Sequence, residues 1–464
     1  MSHEKSQYTI MTQTPVNRLI VSLAGPTIVS MMITAFYNAA DTYYVSLLNI
    51  TSATGAIGVV FPLMSFVQAI SFAISMGSGS WISRLLGQKK PDEANEVASS
   101  ALTIALLFGT VIAVSTFAGS ISNVLRAIGA TESILPFAEK YAQYVILGAP
   151  MLMGSMVLNK MLCAEGKARF SMIGIASGGI LNILLDPFFI LDRGLGLGTT
   201  GAAVATAISE TFSFIILLIP YLRSRTEITL STHSISHSFH RYIRILLNGM
   251  PSFFRQALSS VSAILLNVFA AKYALSQADS AIAAMSVVSK VFMLNFSLII
   301  GFGQGYQPVI GYNYGARIFS RARQAFFFTL TASTVMMSLL GVIGFLAAPQ
   351  IIALFSSEAA DANMISFGVY AFRAQCLSMP LTAMGNTSNM TFQSTGHVKL
   401  ATLLASCRQG IFLIPSLFVL SHFWGLSGVF IAQPVSDVLT FFTCLIVDIP
   451  FIRKLKQASS VDLS

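Results

Sequence analysis

Charge is scarce in this sequence: only 10% of its 464 residues are charged, against 54% hydrophobic. Soluble domains carry about 25% charged residues, so a surface facing water all round is excluded. Cysteine is sparse as well. Cys163, Cys376, Cys407 and Cys444 stand far apart without CxxC or metal-ligand spacing, each within or beside an apolar run, which reads as small core residues. The HExxH, GxSxG and GxxxxGK[ST] patterns are missing too, so nothing supports an enzyme and no cofactor is implied. The polar amino terminus, MSHEKSQYTIMTQTPVNR, lacks a short apolar core followed by a small-residue cleavage site. It reads as retained sequence, not a removable signal peptide.

What the chain has is apolar length. Mean hydropathy is +0.73, and the apolar runs repeatedly reach the roughly 20 residues that a helix needs to cross about 30 Å of hydrocarbon. The fold class expected is an all-α polytopic membrane protein with about twelve transmembrane helices. Basic residues fall in alternate breaks: Lys89 and Lys90, Lys167 and Arg169, Arg223 through Arg244, Arg317 through Arg323, and Arg453 through Lys456. Those breaks, with both termini, are expected on the cytoplasmic side. The net charge of +9 is then mostly topological. Because the bases are dispersed over many loops, no nucleic-acid partner is implied.

The chain also repeats itself. LGAPMLMGSMVLNKMLCAEGKARF (147–170) aligns without a gap on LSMPLTAMGNTSNMTFQSTGHVKL (377–400), placing Pro150 on Pro380, Asn159 on Asn389 and Gly166 on Gly396. GTTGAAVATAISE (198–210) aligns on GLSGVFIAQPVSD (425–437), Pro26 on Pro251, and Gly77 and Gly79 on Gly303 and Gly305. Two copies of an even-spanned unit enter the membrane with the same orientation, giving two lobes around a central cavity. The division expected is an amino-terminal lobe over 1–222, a cytoplasmic linker over 223–242 and a carboxy-terminal lobe over 243–464. The linker histidines His233, His237 and His240 have no acid or cysteine beside them and read as a solvated segment.

Within the spans, polar groups are costly. An Asp at a helix centre costs about 3 kcal/mol on the insertion scale, so Asp186 in NILLDPFF and Asp41 need a purpose. Helical spacing puts Asn182 on the face of Asp186, and it lines up Ser30, Thr34, Tyr37 and Asp41 on the first span. Pro187 removes a helical donor beside the carboxylate. Asp41 and Asp186, with Asn182 and a hydroxyl such as Thr206, would supply oxygens for a cation, with H⁺ and Na⁺ both open. In the second half the intramembrane charges read are Arg255, Lys290 and Arg373. No acid stands there at the repeat positions of Asp41 and Asp186, so one-lobe coupling is expected. Small residues at Gly201, Ala205 and Ser209 mark a tight helix seam.

The Pro26 helix ending in Asp41, GSGSWISRLLGQKK, LNKMLCAEGKARFSM, LNILLDPFFI, GAAVATAIS and GYNYGAR together resemble the multidrug and toxic compound extrusion (MATE) transporters, in particular their DinF-like prokaryotic branch. The resemblance implies two six-helix bundles and export driven by an H⁺ or Na⁺ gradient across a prokaryotic inner membrane. It implies amphipathic, cationic small molecules as substrates, and a two-lobe carrier surrounded by lipid is expected to be a monomer. It carries Asp41, Asn182, Asp186 and Thr206 over as cation-site residues, Tyr37 and Asn159 as cavity residues and Pro26 as the hinge of the first helix. Arg255, Gln256, Lys290 and Arg373 are read as the substrate-facing wall of the second lobe. The rival reading is a flippase or exporter of a lipid-linked or anionic substrate from the same superfamily, motivated by the three bases Arg255, Lys290 and Arg373.

Overall fold

The computed structural model describes residues 6–48, 51–116, 121–128, 130–132, 134–191, 193–274, 277–354 and 362–461. Sixteen α-helices account for them: α1 Gln7–Gln13, α2 Val16–Ser46, α3 Thr51–Gly87, α4 Pro91–Ser115, α5 Ile121–Ile128, α6 Leu135–Leu147, α7 Ala149–Ala164, α8 Ala168–Ile190, α9 Gly198–Leu222, α10 Phe239–Ala274, α11 Ala278–Gly315, α12 Phe319–Leu346, α13 Ala348–Leu354, α14 Ala362–Thr395, α15 Val398–Ser406 and α16 Leu413–Val461. A π-helical turn, Cys407–Ile411, joins the last two.

Nine of the described helical stretches are long and apolar enough to cross a membrane, and α6 with α7, bent by 42°, makes a tenth. The longest stretch, Val398–Ser459, is two spans folded at Gly425, which sits at φ 56° and ψ −132°. Glycine takes that conformation without a Cβ clash. The remaining span is α14, 34 residues long, whose polar half, GNTSNMTFQST, is buried against neighbouring helices. The protein interior solvates these side chains, so the helix needs little hydropathy. The count is about twelve spans, as expected.

The repeat is visible in the backbone. Gly166 and Gly396 both take positive φ at the ends of equivalent helices, and so do Gly198 and Gly425 at the start of the sixth and twelfth spans. The sequence pairing of Gly77 with Gly303 is two residues out of register. Lys89 and Arg317 share a left-handed φ just beyond the ends of α3 and α11, and Gly87 packs on the Tyr312 carbonyl as Gly315 packs on that of Arg84. Gly77 therefore answers Gly305: the first lies against Gly249 of α10 and the second against Ala24 of α2. An extra glycine in this part of α11 made the sequence alignment ambiguous.

These contacts form the seam between lobes. A Cβ on Gly249 would sit 1.7 Å from the Ala73 carbonyl oxygen, and one on Gly305 2.4 Å from the Ala24 Cα. Only glycine permits that approach of backbones. At the face carrying both termini, Arg84 donates to the carbonyls of Gln393 and Ser394, and Arg321 to that of Thr14. The lobes are thus closed together at the terminal face.

The segment after α9 is hydrogen-bonded along the first lobe. Backbone amides of Thr229, Ser231 and Ser236 donate to Asn95, Ser99 and Ser100 of α4. Helix α10 begins at Phe239, inside the 223–242 stretch read as linker.

Candidate functional site

Two adjacent glycines on α8 build the site. A Cβ on Gly178 would meet the Ser213 Cβ of α9 at 2.7 Å, and one on Gly179 would meet Ile33 and Tyr37 of α2 at 2.8 and 3.1 Å. Helix α8 therefore nests against both neighbours at once, and Ser213 Oγ donates to the Gly174 carbonyl across one seam. Of the small residues read on α9, Ser209 lines this contact, its carbonyl oxygen 3.0 Å from a Cβ placed on Gly178, and Gly201 packs on the Phe189 carbonyl further along the same pair of helices.

One turn beyond the glycines lies Asn182, and one turn further Asp186. Asp186 is 0% exposed, and Asn182 Nδ2 donates to its Oδ1 at 3.3 Å. Asp186 Oδ2, Asn182 Oδ1 and Asp41 Oδ1 are buried without a hydrogen-bond partner among the described residues. Asp41 and Asp186 lie within electrostatic range of each other, and Tyr141 of α6 lies within range of both. Pro187 leaves the Ile183 carbonyl without its usual helical donor. Oxygens without donors beside two carboxylates suit a proton or a hard cation. The described residues contain no group of three or more His, Cys, Asp or Glu arranged for a metal.

A cavity of about 250 Å³ adjoins this cluster, and Thr34, Tyr37, Asn159, Asn182, Thr206 and Gln256 line it. The structure thus gathers most of the residues singled out from sequence, with Asp186 bonded to Asn182 of the wall and Asp41 within electrostatic range of Asp186. Ser30 and Thr34 share the α2 stripe, but their hydroxyls donate to the carbonyls of Pro26 and Ser30. Asn159 Oδ1 is engaged by Ser171 and Cys163. Gln256 Nε2 reaches Gln68 Oε1 across the lobes at 3.5 Å. Helix α2 runs unbroken through Pro26, and the next residue, Thr27, donates to the Gly301 carbonyl of the other lobe at 2.6 Å.

The second lobe differs from its expectation. Lys290 is exposed and Arg373 donates to the Phe345 carbonyl at 3.2 Å with its guanidinium over the Phe345 ring; neither lines the cavity. Arg255 also lies off the cavity wall, and its Nη1 is buried without a partner among the described residues. The lobe does contain acids. Asp437 and Asp448 are 2% and 1% exposed. Asp437 accepts from Arg408 Nε at 2.7 Å, Ser378 at 2.9 Å and Gln433 at 3.2 Å, while Asp448 accepts from Ser388. The π-helical turn aims Arg408 at Asp437, and the rings of Phe292 and Phe296 cover the guanidinium.

Two charged cavity residues escaped the sequence reading. Glu210 of α9 faces the cavity with Ser155 Oγ donating to it at 3.3 Å, and Lys160 of α7 faces it with its Nζ buried and without a partner among the described residues. Glu210 is the repeat partner of Asp437 in the aligned segments. That pairing was the available signal, since the Asp437 charge is met by arginine and the Glu210 charge is not. Lys160 had no such signal, because KMLCAEGK reads as the basic end of a helix.

Two repeated six-span lobes closed at one face, with a cavity between them and an under-coordinated acid pair in one, define a membrane transporter. The chain belongs to the MatE family, whose profile matches residues 26–188 and 251–419. Multidrug export protein MepA of Staphylococcus saprophyticus is 26% identical over 422 residues, 91% of either chain. Two solved structures superpose closely. A multidrug resistance MATE family transporter in an outward-facing conformation has a TM-score of 0.90 at 25% identity, covering 97% of this chain and 98% of that one. A MOP superfamily transporter from Pyrococcus furiosus, described as having a binding pocket of reversed polarity, has a TM-score of 0.89 at 26% identity, covering 97% and 99%.

Proposed function

We propose that this protein exports amphipathic organic cations across a prokaryotic cytoplasmic membrane by alternating access, in exchange for H⁺ or Na⁺ bound at Asp41, Asn182 and Asp186. One observation carries the reading: an oxygen of each of these three residues is buried without a hydrogen-bond partner among the described residues. A carboxylate in that state is under-solvated, and a proton or small cation supplies what the protein does not. The similarity to a multidrug export protein supports the export of drug-like small molecules.

The terminal face, rich in Lys and Arg, is cytoplasmic in this reading, so the closed seam describes a state open to the exterior. Ion binding neutralises the acid pair and lets α2 bend at Pro26, where the helix lacks a hydrogen bond. Coupling requires only that ion and substrate favour different states. The rival anionic or lipid-linked reading loses the three bases that motivated it, because Arg255, Lys290 and Arg373 all stand outside the cavity lining.

Competition is the test. Affinity of the detergent-purified protein for a fluorescent organic cation should fall at least about tenfold on acidification or on adding Na⁺, and Asp186→Asn should abolish that response. An affinity in the wild type that ignores both ions would sink the reading.

A further inference from the structure

Charges of both signs line the same cavity without neutralising each other. Glu210 and Lys160 both face it, and no ion pair joins them among the described residues, where the bridged pairs involve other groups. Lys160 is 7% exposed, and among the described residues its Nζ is unpartnered and Glu210 receives Ser155 Oγ alone. A buried ammonium left without a partner is expensive, so a group of opposite charge is expected to visit it.

The two charges stand at different depths. Helices α7 and α9 both run toward the terminal face, ending at Ala164 and Leu222. At 1.5 Å per residue Lys160 lies ~6 Å from its helix end and Glu210 ~18 Å, so their backbones differ in depth by ~12 Å. Lys160 also lines a smaller void beneath, with Gly79, Ser83, Cys163 and Gln307, which places it at the floor. Arg255 lies within electrostatic range of Lys160, and Glu210 within range of Tyr37. The floor is therefore positive, and the wall above it, which carries Glu210, is negative.

We propose that the cavity selects zwitterionic amphiphiles: Glu210 holds the cationic end of the substrate and Lys160 a carboxylate or similar anion at the floor. This rests on the exporter reading and narrows its substrate class. The apolar part of such a molecule would lie against Met31, Phe72, Met156 and Met293 of the same cavity, where methionine adapts to varied shapes.

A matched dye pair tests it. Rhodamine 110 carries a free carboxylate beside its cationic ring system, and rhodamine 123 is its methyl ester, a plain cation. Binding is read by fluorescence polarisation on the purified protein, and transport separately in proteoliposomes. The wild type should bind the zwitterion at least about tenfold more tightly than the ester. Lys160→Met should bring that ratio near one, Lys160→Arg should restore it, and Glu210→Gln should weaken both dyes. Equal wild-type binding of the two dyes, or an unchanged ratio in a folded Lys160→Met, overturns the proposal. Selective binding with no transport of either dye under any gradient would leave the two-pole site standing and overturn the exporter reading instead.

Discussion

At the scale of single residues, the two lobes treat a buried acid in opposite ways. Asp437 has a guanidinium and two further donors, so its carboxylate is satisfied within the protein. Asp186 has one amide at 3.3 Å and an orphan oxygen, so its charge is available to an ion. Substitutions should separate the two. Arg408→Met leaves the Asp437 carboxylate unpaired and should destabilise the protein by about 3 kcal/mol, read as a lowered melting temperature in detergent. Asp186→Asn removes an under-solvated charge and should leave that temperature equal or higher. A large drop for Asp186→Asn would mean that the carboxylate is structural. Asp41, Asn182, Asp186 and Tyr37 were legible because polar groups stand out in apolar sequence and share helical faces. The direction of Arg373 was not, since whether a long side chain turns to a cavity or to a neighbouring carbonyl depends on packing across helices.

At the scale of elements, glycine positions and helix-end loops carry the account. The Gly178–Gly179 pair admits α2 and α9 to opposite sides of α8, and nothing in the spacing of one helix announces which neighbours it will meet. The loop after α7 adds a titrating group. Glu165 is buried, accepts the Glu227 amide at 2.7 Å and lies 3.7 Å from Lys167 Nζ. Burial pushes its carboxyl up from 4.5 to about 7, against the opposing effects of Lys167 and of the Glu227 and Ile228 amides. The unfolded chain releases this proton first, so stability is fully present below about 4.5 and falls as pH rises toward 7, by about 3 kcal/mol in all. Melting curves from pH 5 to 8 should show that decline, and Glu165→Gln should flatten it. An unaltered pH profile in the variant would remove Glu165 from the account.

At the scale of the whole molecule, the pseudo-symmetric seams decide which face is open. The repeat was readable in the sequence to within two residues, and with it the two-lobed plan; α14 shows why hydropathy alone undercounts spans, since a helix wrapped in protein can be polar. Closure at the terminal face depends on backbone contacts such as Gly249 on Ala73, which no side chain can relieve by rotating. Gly249→Leu should wedge α10 from α3 and open that face. In a chain keeping Cys163 as its sole cysteine, a membrane-impermeant maleimide should then label Cys163, which is 5% exposed in the closed state, and a protected Cys163 would count against the seam as the gate. The central claim is that the acid pair of the first lobe couples transport to an ion. Dye efflux from proteoliposomes, with a pH gradient and a Na⁺ gradient imposed separately, tests it most directly. Efflux driven by one of the two gradients and lost in Asp186→Asn is the predicted result; efflux that persists at the wild-type rate in that variant would contradict it.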